Sequence, residues 1–197
     1  MNNTAVVLID FINEIVDPKG KLSGKGYAAF AATHDTMAKV GLLLATARSS
    51  GMPVIHVRVG FSPEYQEQPL QSPLFGGAKK FGALLLGTWA TEFHPSAVPL
   101  PSELIVQKHR VSAFFNTSLD LILRNNNITN VLICGVATDL AVQSAAKDAH
   151  DRDYAVTVLA DCCIAASDKD HDEAIRMISK VAAITDIETY RSATAHP

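Results

Sequence analysis

The sequence predicts a doubly wound α/β fold: one six-stranded parallel sheet, in the order 3-2-1-4-5-6, with helices on both faces. Three observations predict it. The runs TAVVLI (Thr4–Ile9) and VLIC (131–134) are continuously apolar rather than alternating, as expected for central strands buried on both faces. Strand-like runs alternate with helical ones along the chain, which calls for right-handed crossovers and a three-layer sandwich. Finally, 197 residues at 48% hydrophobic and 19% charged suit a single domain with a sizeable core, spanning 1–197.

The elements follow in order. TAVVLI is strand 1, and Asp10 stands at its carboxyl end. The stretch PKGKLSGKG (18–26) is loop. Residues 33–50 carry Met37, Val40, Leu43, Leu44 and Ala47 at helical spacing, and Gly51 ends that helix. PVIHVRV (53–59) is strand 2. ELIV (103–106) is a short strand 3, followed by Gln107, Lys108, His109 and Arg110. A helix over 117–126 is capped by Asn116 or Thr117. Strand 4 (131–134) stops at Gly135, turns through Val136, Ala137 and Thr138, and Asp139 opens a helical run from Leu140 to His150. YAVTVLA (154–160) is strand 5, 161–166 its exit loop, 169–181 a helix and 183–187 a last short strand. No internal repeat appears.

Residues 60–102 break this rhythm. They hold six of the nine prolines and the aromatics Phe61, Tyr65, Phe75, Phe81, Trp89 and Phe93. A loop of this length is commonly functional or disordered, and its aromatics argue against disorder. The segment reads as an insertion folding over a site or onto a partner subunit; the plainer alternative is that it merely packs on the sheet.

Composition narrows the function classes. A net charge of −3 argues against nucleic acid as a partner, which would call for a basic stripe. No apolar run reaches ~18 residues, so no membrane span is expected. Three cysteines, two of them adjacent (Cys162, Cys163), make neither a disulfide framework nor a metal-type spacing. The opening MNNTAVVLIDF lacks the basic start and cleavage site of a signal peptide. The expectation is a cytoplasmic protein with no cofactor.

In the expected topology three features converge beyond the carboxyl ends of the strands, where doubly wound sheets bind ligands. These are Asp10 after strand 1, Lys108 after strand 3 and the Gly135–Ala141 turn after strand 4. A carboxylate beside an ammonium keeps its charge and orients it. Together they can pass a proton while turn N–H groups stabilise a developing anion. Each alone has a plainer reading: a strand-terminal Asp forms turns, a Lys beside His and Arg is a solvated face, and a βα turn is ordinary. Receiver domains share the Asp and Lys placement, but need an acidic pair after strand 1 and an acceptor Asp after strand 3. Asp10 is followed by Phe11 and Ile12, and no other strand end supplies the acceptor.

With LIDF around Asp10, QKHRVSAFFNTSLD around Lys108 and GVATDLAVQSAAKDAHDRDYAVTVLADCC, the chain resembles the isochorismatase-like (cysteine hydrolase) superfamily. HVRVGF, SPLF and GTWATEFHP resemble one of its branches. The resemblance covers nearly the whole chain and implies the fold just derived. It also implies a catalytic Asp (Asp10), a catalytic Lys (Lys108) and, in amidohydrolase members, a Cys early in the helix after the GVAT-type turn. That position is Ala141 here, and a methyl group can neither attack a carbonyl nor be activated by Asp10. Cys134 precedes the turn inside its strand and reads as core. Cys162 and Cys163 leave strand 5 displaced from the site, with Cys163 nearer the rim. Thr138 reads as a turn residue, and Ser144 lies about a turn further along the helix.

Three readings follow. The isochorismatases proper also lack the Cys, using the Asp as acid toward an enol ether that water then cleaves; Asp10 and Lys108 suffice for this, and it is the first reading. The second is a cysteine amidohydrolase whose nucleophile has been replaced by Ala141. The third is a catalytically silent binding or assembly module, against which Asp10 and Lys108 weigh. Nicotinamidases of the superfamily bind a metal through an Asp-x-His pair after strand 2, which His56-Val57-Arg58 does not offer, so no metal is expected. The resemblance implies a cis Val136–Ala137 peptide, whose turn N–H groups would face the pocket. Phe61, Trp89 and Phe115 are candidates to line an apolar pocket for a small-molecule substrate, and Arg58, Arg110 or Gln107 to meet a carboxylate. The apolar surface of 60–102 implies a homo-oligomer, a dimer or tetramer.

Overall fold

A computed structural model describes residues 3–194. Its sheet is six-stranded and parallel in the order β3-β2-β1-β4-β5-β6. The strands are β1 (Thr4–Ile9), β2 (Val54–Val59), β3 (Leu104–Lys108), β4 (Asn130–Gly135), β5 (Ala155–Leu159) and β6 (Ala183–Thr185). The helices are α1 (Asn13–Val16), α2 (Tyr27–Thr33), α3 (Thr36–Ser49), α4 (Ala78–Phe81), α5 (Leu119–Asn125), α6 (Gln143–His150), α7 (Asp168–Ile178) and α8 (Ile187–Thr194).

Burial follows the continuous apolar runs. β1 lies between β2 and β4, with Leu8 opposite both His56 and Cys134, and from Ala5 onward its side chains are buried. The outer strand β3 is half exposed: Leu104, Ile105 and Gln107 are exposed while Val106 and Lys108 are buried, and from Ile105 onward the alternation is that of the pleat. Among the described residues no helix is long and apolar enough to cross a membrane.

Several boundaries differ from the sequence reading for local reasons. Strand 3 runs two residues further than expected and absorbs Lys108, which pairs in register with Val59. The helix expected over 33–50 is α3, beginning at Thr36, and a separate helix, α2, precedes it and shares only Thr33 with that span. Asp35 breaks them by taking a left-handed conformation (φ 52°), which Asp tolerates, and its carbonyl accepts from Ala38 N and Lys39 N to start α3. The run after strand 4 opens not as an α-helix but as one wide π-type turn, Thr138–Val142, before α6. The last strand stops at Thr185 because the Asp186 carboxylate accepts from Thr189 N (2.7 Å) and Thr189 Oγ1 (2.8 Å), opening α8. Helix α1 also went unread, being four residues long.

The 60–102 segment is built rather than slack. Phe61 and Leu85 pair in a short bridge, and Gln68 Nε2 donates to the carbonyls of Phe75 and Gly76. Tyr65 Oη donates to Ala83 O at 2.9 Å. These bonds return the segment over the carboxyl ends of β1 and β2.

Candidate active site

Asp10 is the first residue past β1. Its backbone is left-handed (φ 60°), an uncommon state for a side-chain-bearing residue. The bend is held at both ends of the residue: Asp10 N donates to Val57 O (2.8 Å), and Oδ1 accepts from Val59 N (2.7 Å). Oδ2 is thereby turned to the Lys108 ammonium at 2.7 Å. Because Val59 pairs with Lys108 across β2 and β3, sheet register alone delivers the lysine to the carboxylate. Both are almost sealed from solvent, at 3% and 1% exposure. Lys108 Nζ also donates to Arg110 O (3.2 Å) and Val111 O (3.0 Å), so its three protons all have acceptors. Burial pushes the Asp10 carboxyl above the ordinary carboxylate range, and Lys108 with the Val59 N–H only partly opposes that.

The third wall is the turn after β4. At Gly135 a Cβ would stand 2.5 Å from Ile9 O, so only glycine lets the two backbones approach this closely. Val136 N donates to Ile9 O at 2.9 Å, and the Val136–Ala137 peptide is cis. Thr138 is fully buried. Its N–H donates to Ile164 O (2.8 Å), and its hydroxyl shares a 3.0 Å hydrogen bond with His171 Nδ1 on α7. Sequence reasoning missed His171, which nothing in the motif marks.

Asp10, Lys108, Val136, Ala137 and Ala141 line one cavity of about 480 Å³. The insertion supplies another wall through Phe75, Ala78, Phe81 and Leu84. Ala141 is buried there with its methyl in the wall, and no Ser, Thr or Cys lines the cavity among the described residues. Cys134, Cys162 and Cys163 are buried and unpaired. Burial pushes all three thiols up, that of Cys163 to about 12, the opposite of an activated nucleophile.

The aromatic lining expected from sequence is corrected. Phe61 is wholly buried behind the wall, stacked on Tyr65 and His109 and edge-on to Phe75; it supports the pocket without facing it. Trp89 does not line the cavity: it is exposed, its carbonyl held by Asn13 Nδ2 (3.0 Å) as the insertion leaves the site. Phe115 is exposed beyond β3, outside the cavity. None of the three cationic or amide candidates reaches it either. Arg58 lies over the Phe93 ring, Arg110 donates to Glu67 O and His109 O, and Gln107 points away from Lys108 across the pleat. His56 is buried against Glu103 at 2.9 Å. Among the described residues no group of three or more His, Cys, Asp or Glu is arranged to hold a metal.

Comparison with known proteins agrees on one family. Residues 4–189 match the model of the isochorismatase domain. The chain is similar to an uncharacterized isochorismatase family protein, YecD, of Escherichia coli O157:H7: 32% identical over 190 residues, 94% of this chain and 93% of that one. It is 32% identical over 170 residues to the ureidoacrylate amidohydrolase RutB of Pseudomonas syringae pv. syringae (strain B728a), covering 80% and 69% of the two chains. N-carbamoylsarcosine amidase from Thermoplasma acidophilum superposes with a TM-score of 0.74 at 26% identity, over 94% of this chain and 96% of that one. An isochorismatase family protein from Desulfovibrio vulgaris subsp. vulgaris str. Hildenborough reaches 0.86 at 23% identity over 98% and 99%, a likeness of fold.

Proposed function

The chain belongs to the isochorismatase family and is a hydrolase of the isochorismatase-like superfamily, and on that premise we propose that it cleaves a small metabolite by direct addition of water, with Asp10 moving the proton and no covalent enzyme intermediate. One observation carries the reading. The cavity beside the Asp10–Lys108 pair presents the Ala141 methyl, and no Ser, Thr or Cys among its described lining residues, to a bound molecule.

The chemistry suits an enol ether or a related C–O bond. Asp10, its carboxyl raised by burial, gives its proton to the enol carbon, and the bonded oxygen shares the resulting positive charge. Water adds to the cationic carbon and returns a proton to Asp10. The hemiketal then collapses to a carbonyl compound and an alcohol. Lys108 holds the carboxylate form between these steps; the Val136 and Thr138 N–H groups, expected to face the pocket, are instead taken by Ile9 O and Ile164 O.

A second reading has support of its own. RutB is a ureidoacrylate amidohydrolase and the solved relative an N-carbamoylsarcosine amidase, both by name C–N hydrolases, and in such a lineage Ala141 would stand where a nucleophile is needed. Enol ethers, amides and ureides screened against this chain and against Ala141→Cys divide the two. Direct hydrolysis expects enol-ether turnover that Ala141→Cys does not improve. A strong amidase appearing only in Ala141→Cys overturns it in favour of a cysteine hydrolase without its nucleophile. No turnover by either protein returns the chain to a binding module. The same reading includes a homo-oligomer of two or four chains and, from three buried unpaired thiols, a reducing cytoplasmic setting.

A further inference from the structure

Lys108 gives two of its three protons to main-chain carbonyls, those of Arg110 (3.2 Å) and Val111 (3.0 Å). Where these carbonyls point therefore decides where the ammonium stands relative to Asp10 Oδ2. Both belong to the β3–α5 connection, residues 109–118, which is irregular and depends on side chains to fix its course.

At its start the connection is tied by His109, whose Nδ1 meets Gly60 O at 2.6 Å, and by Arg110, whose Nη1 donates to Glu67 O (2.7 Å). Immediately after the two carbonyls comes Ser112, which is buried. Its Oγ accepts from Phe114 N and Phe115 N, both at 3.0 Å, and donates to Asp148 Oδ2 on α6. A hydroxyl has one proton and two lone pairs, so Ser112 is fully used: two bonds shape the turn and the third anchors it to a helix. Asp148 is held in its turn. Its Oδ1 accepts from Arg152 Nη1 (2.9 Å), and the same guanidinium lies over the Phe114 ring, 5.1 Å from its centre. One carboxylate thus grips the turn twice. Helix α6 follows the Ala141 turn, so this bond joins the β3 side of the site to the β4 side. Neither Ser112 nor Asp148 lines the cavity, and any part they take in the chemistry passes through another residue.

We propose that Ser112, anchored on Asp148, is a positioning residue for Lys108: it fixes the Arg110 and Val111 carbonyls and so keeps the ammonium on Asp10 Oδ2. The proposal concerns the state of the Asp10–Lys108 pair and does not depend on which bond that pair helps to cleave. Truncation of Ser112 frees two backbone N–H groups and the Asp148 oxygen, and the turn after Val111 loses its centre. The carbonyls then shift, the ammonium leaves its place, and Asp10 loses the charge that opposes its burial.

Titration of the Asp10 carboxyl, followed by NMR at its carboxyl carbon and assigned with Asp10→Asn, tests this without a substrate. The proteins are the parent, Ser112→Ala, Ser112→Thr, Asp148→Ala and, as a variant weakened away from the site, Glu103→Gln. Ser112→Ala and Asp148→Ala should both move the Asp10 midpoint to higher pH. Ser112→Thr keeps the hydroxyl and should titrate like the parent, as should Glu103→Gln. A midpoint that stays in place or falls in Ser112→Ala overturns the proposal, and so does a rise that Glu103→Gln or Ser112→Thr reproduces. Should Ser112→Ala not fold, Asp148→Ala decides, an unmoved midpoint there being the refutation. Turnover reads separately. A raised midpoint in a protein that hydrolyses nothing keeps the positioning role and sinks the hydrolase reading; hydrolysis with an unmoved midpoint does the reverse.

Discussion

Asp10 is the residue on which the chemistry turns, and its environment fixes the sign of its pH dependence. Burial raises its carboxyl above the ordinary range. If it acts as an acid, the protonated form is the working one, so the rate should fall as pH rises through that raised pKa. Asp10→Asn keeps the shape and loses the proton; the expected cost is on the order of 10²–10⁴ in kcat/KM, together with loss of that pH limb. Lys108→Ala should also impair turnover, because the carboxyl loses its charge partner at 2.7 Å. Steady-state rates across pH check both, and an unchanged profile in Asp10→Asn would exclude proton transfer by this group. The meeting of Asp10, Lys108 and the Gly135–Ala141 turn was legible in the sequence because each stands at a strand end or just past one, where the topology must bring them together. Ala141 within that turn was singled out by the family resemblance. Lining by Phe61, Trp89 and Phe115 was not legible. Which aromatic faces the cavity depends on the path of a long insertion, and no periodicity records that path.

Among elements, the sheet was readable and the short connections were not. Continuous apolar runs fixed β1 and β4, whereas α1 and α8 are too short or too polar to announce themselves. The π-type turn Thr138–Val142 is set by tertiary bonds, from Thr138 to Ile164 O and to His171, rather than by local propensity. A comparable network joins α3, β2 and β3. Glu103 accepts from Arg48 Nε (2.8 Å) and Nη2 (2.9 Å), from Leu100 N (2.8 Å), and meets His56 Nε2 at 2.9 Å. These donors outweigh its burial and lower its carboxyl to about 2. The folded value lies below the unfolded one, so the stabilisation is complete above the ordinary Glu range and is lost as pH falls toward 2. Glu103→Gln should therefore cost about 1–3 kcal/mol at pH 7, with the gap to the parent narrowing by pH 3. Urea melts at the two pH values measure it, and a constant gap would mean that the carboxylate charge contributes nothing.

At the scale of the molecule, the insertion closes one question and leaves surface unburied. It supplies the cavity wall through Phe75, Ala78, Phe81 and Leu84, yet Leu70 is 76% exposed and Phe81 65%. A second apolar stretch, Val98, Leu100, Leu104 and Ile105, is exposed on and before β3. There the parallel sheet also ends in an unpaired edge, a liability that folded proteins usually cover. Apolar side chains gathered at two places on one small domain call for a covering surface, and a second copy of the chain is the covering that requires no other partner. The expected outcome is a dimer or tetramer by light scattering at micromolar concentration; a monomer would refute it. Charge placed at each site separates them. Dissociation by Phe81→Glu but not by Ile105→Lys would assign the contact to the insertion, so that one segment both walls the cavity and joins the subunits. The converse would assign the contact to the sheet edge and leave the insertion with the cavity alone.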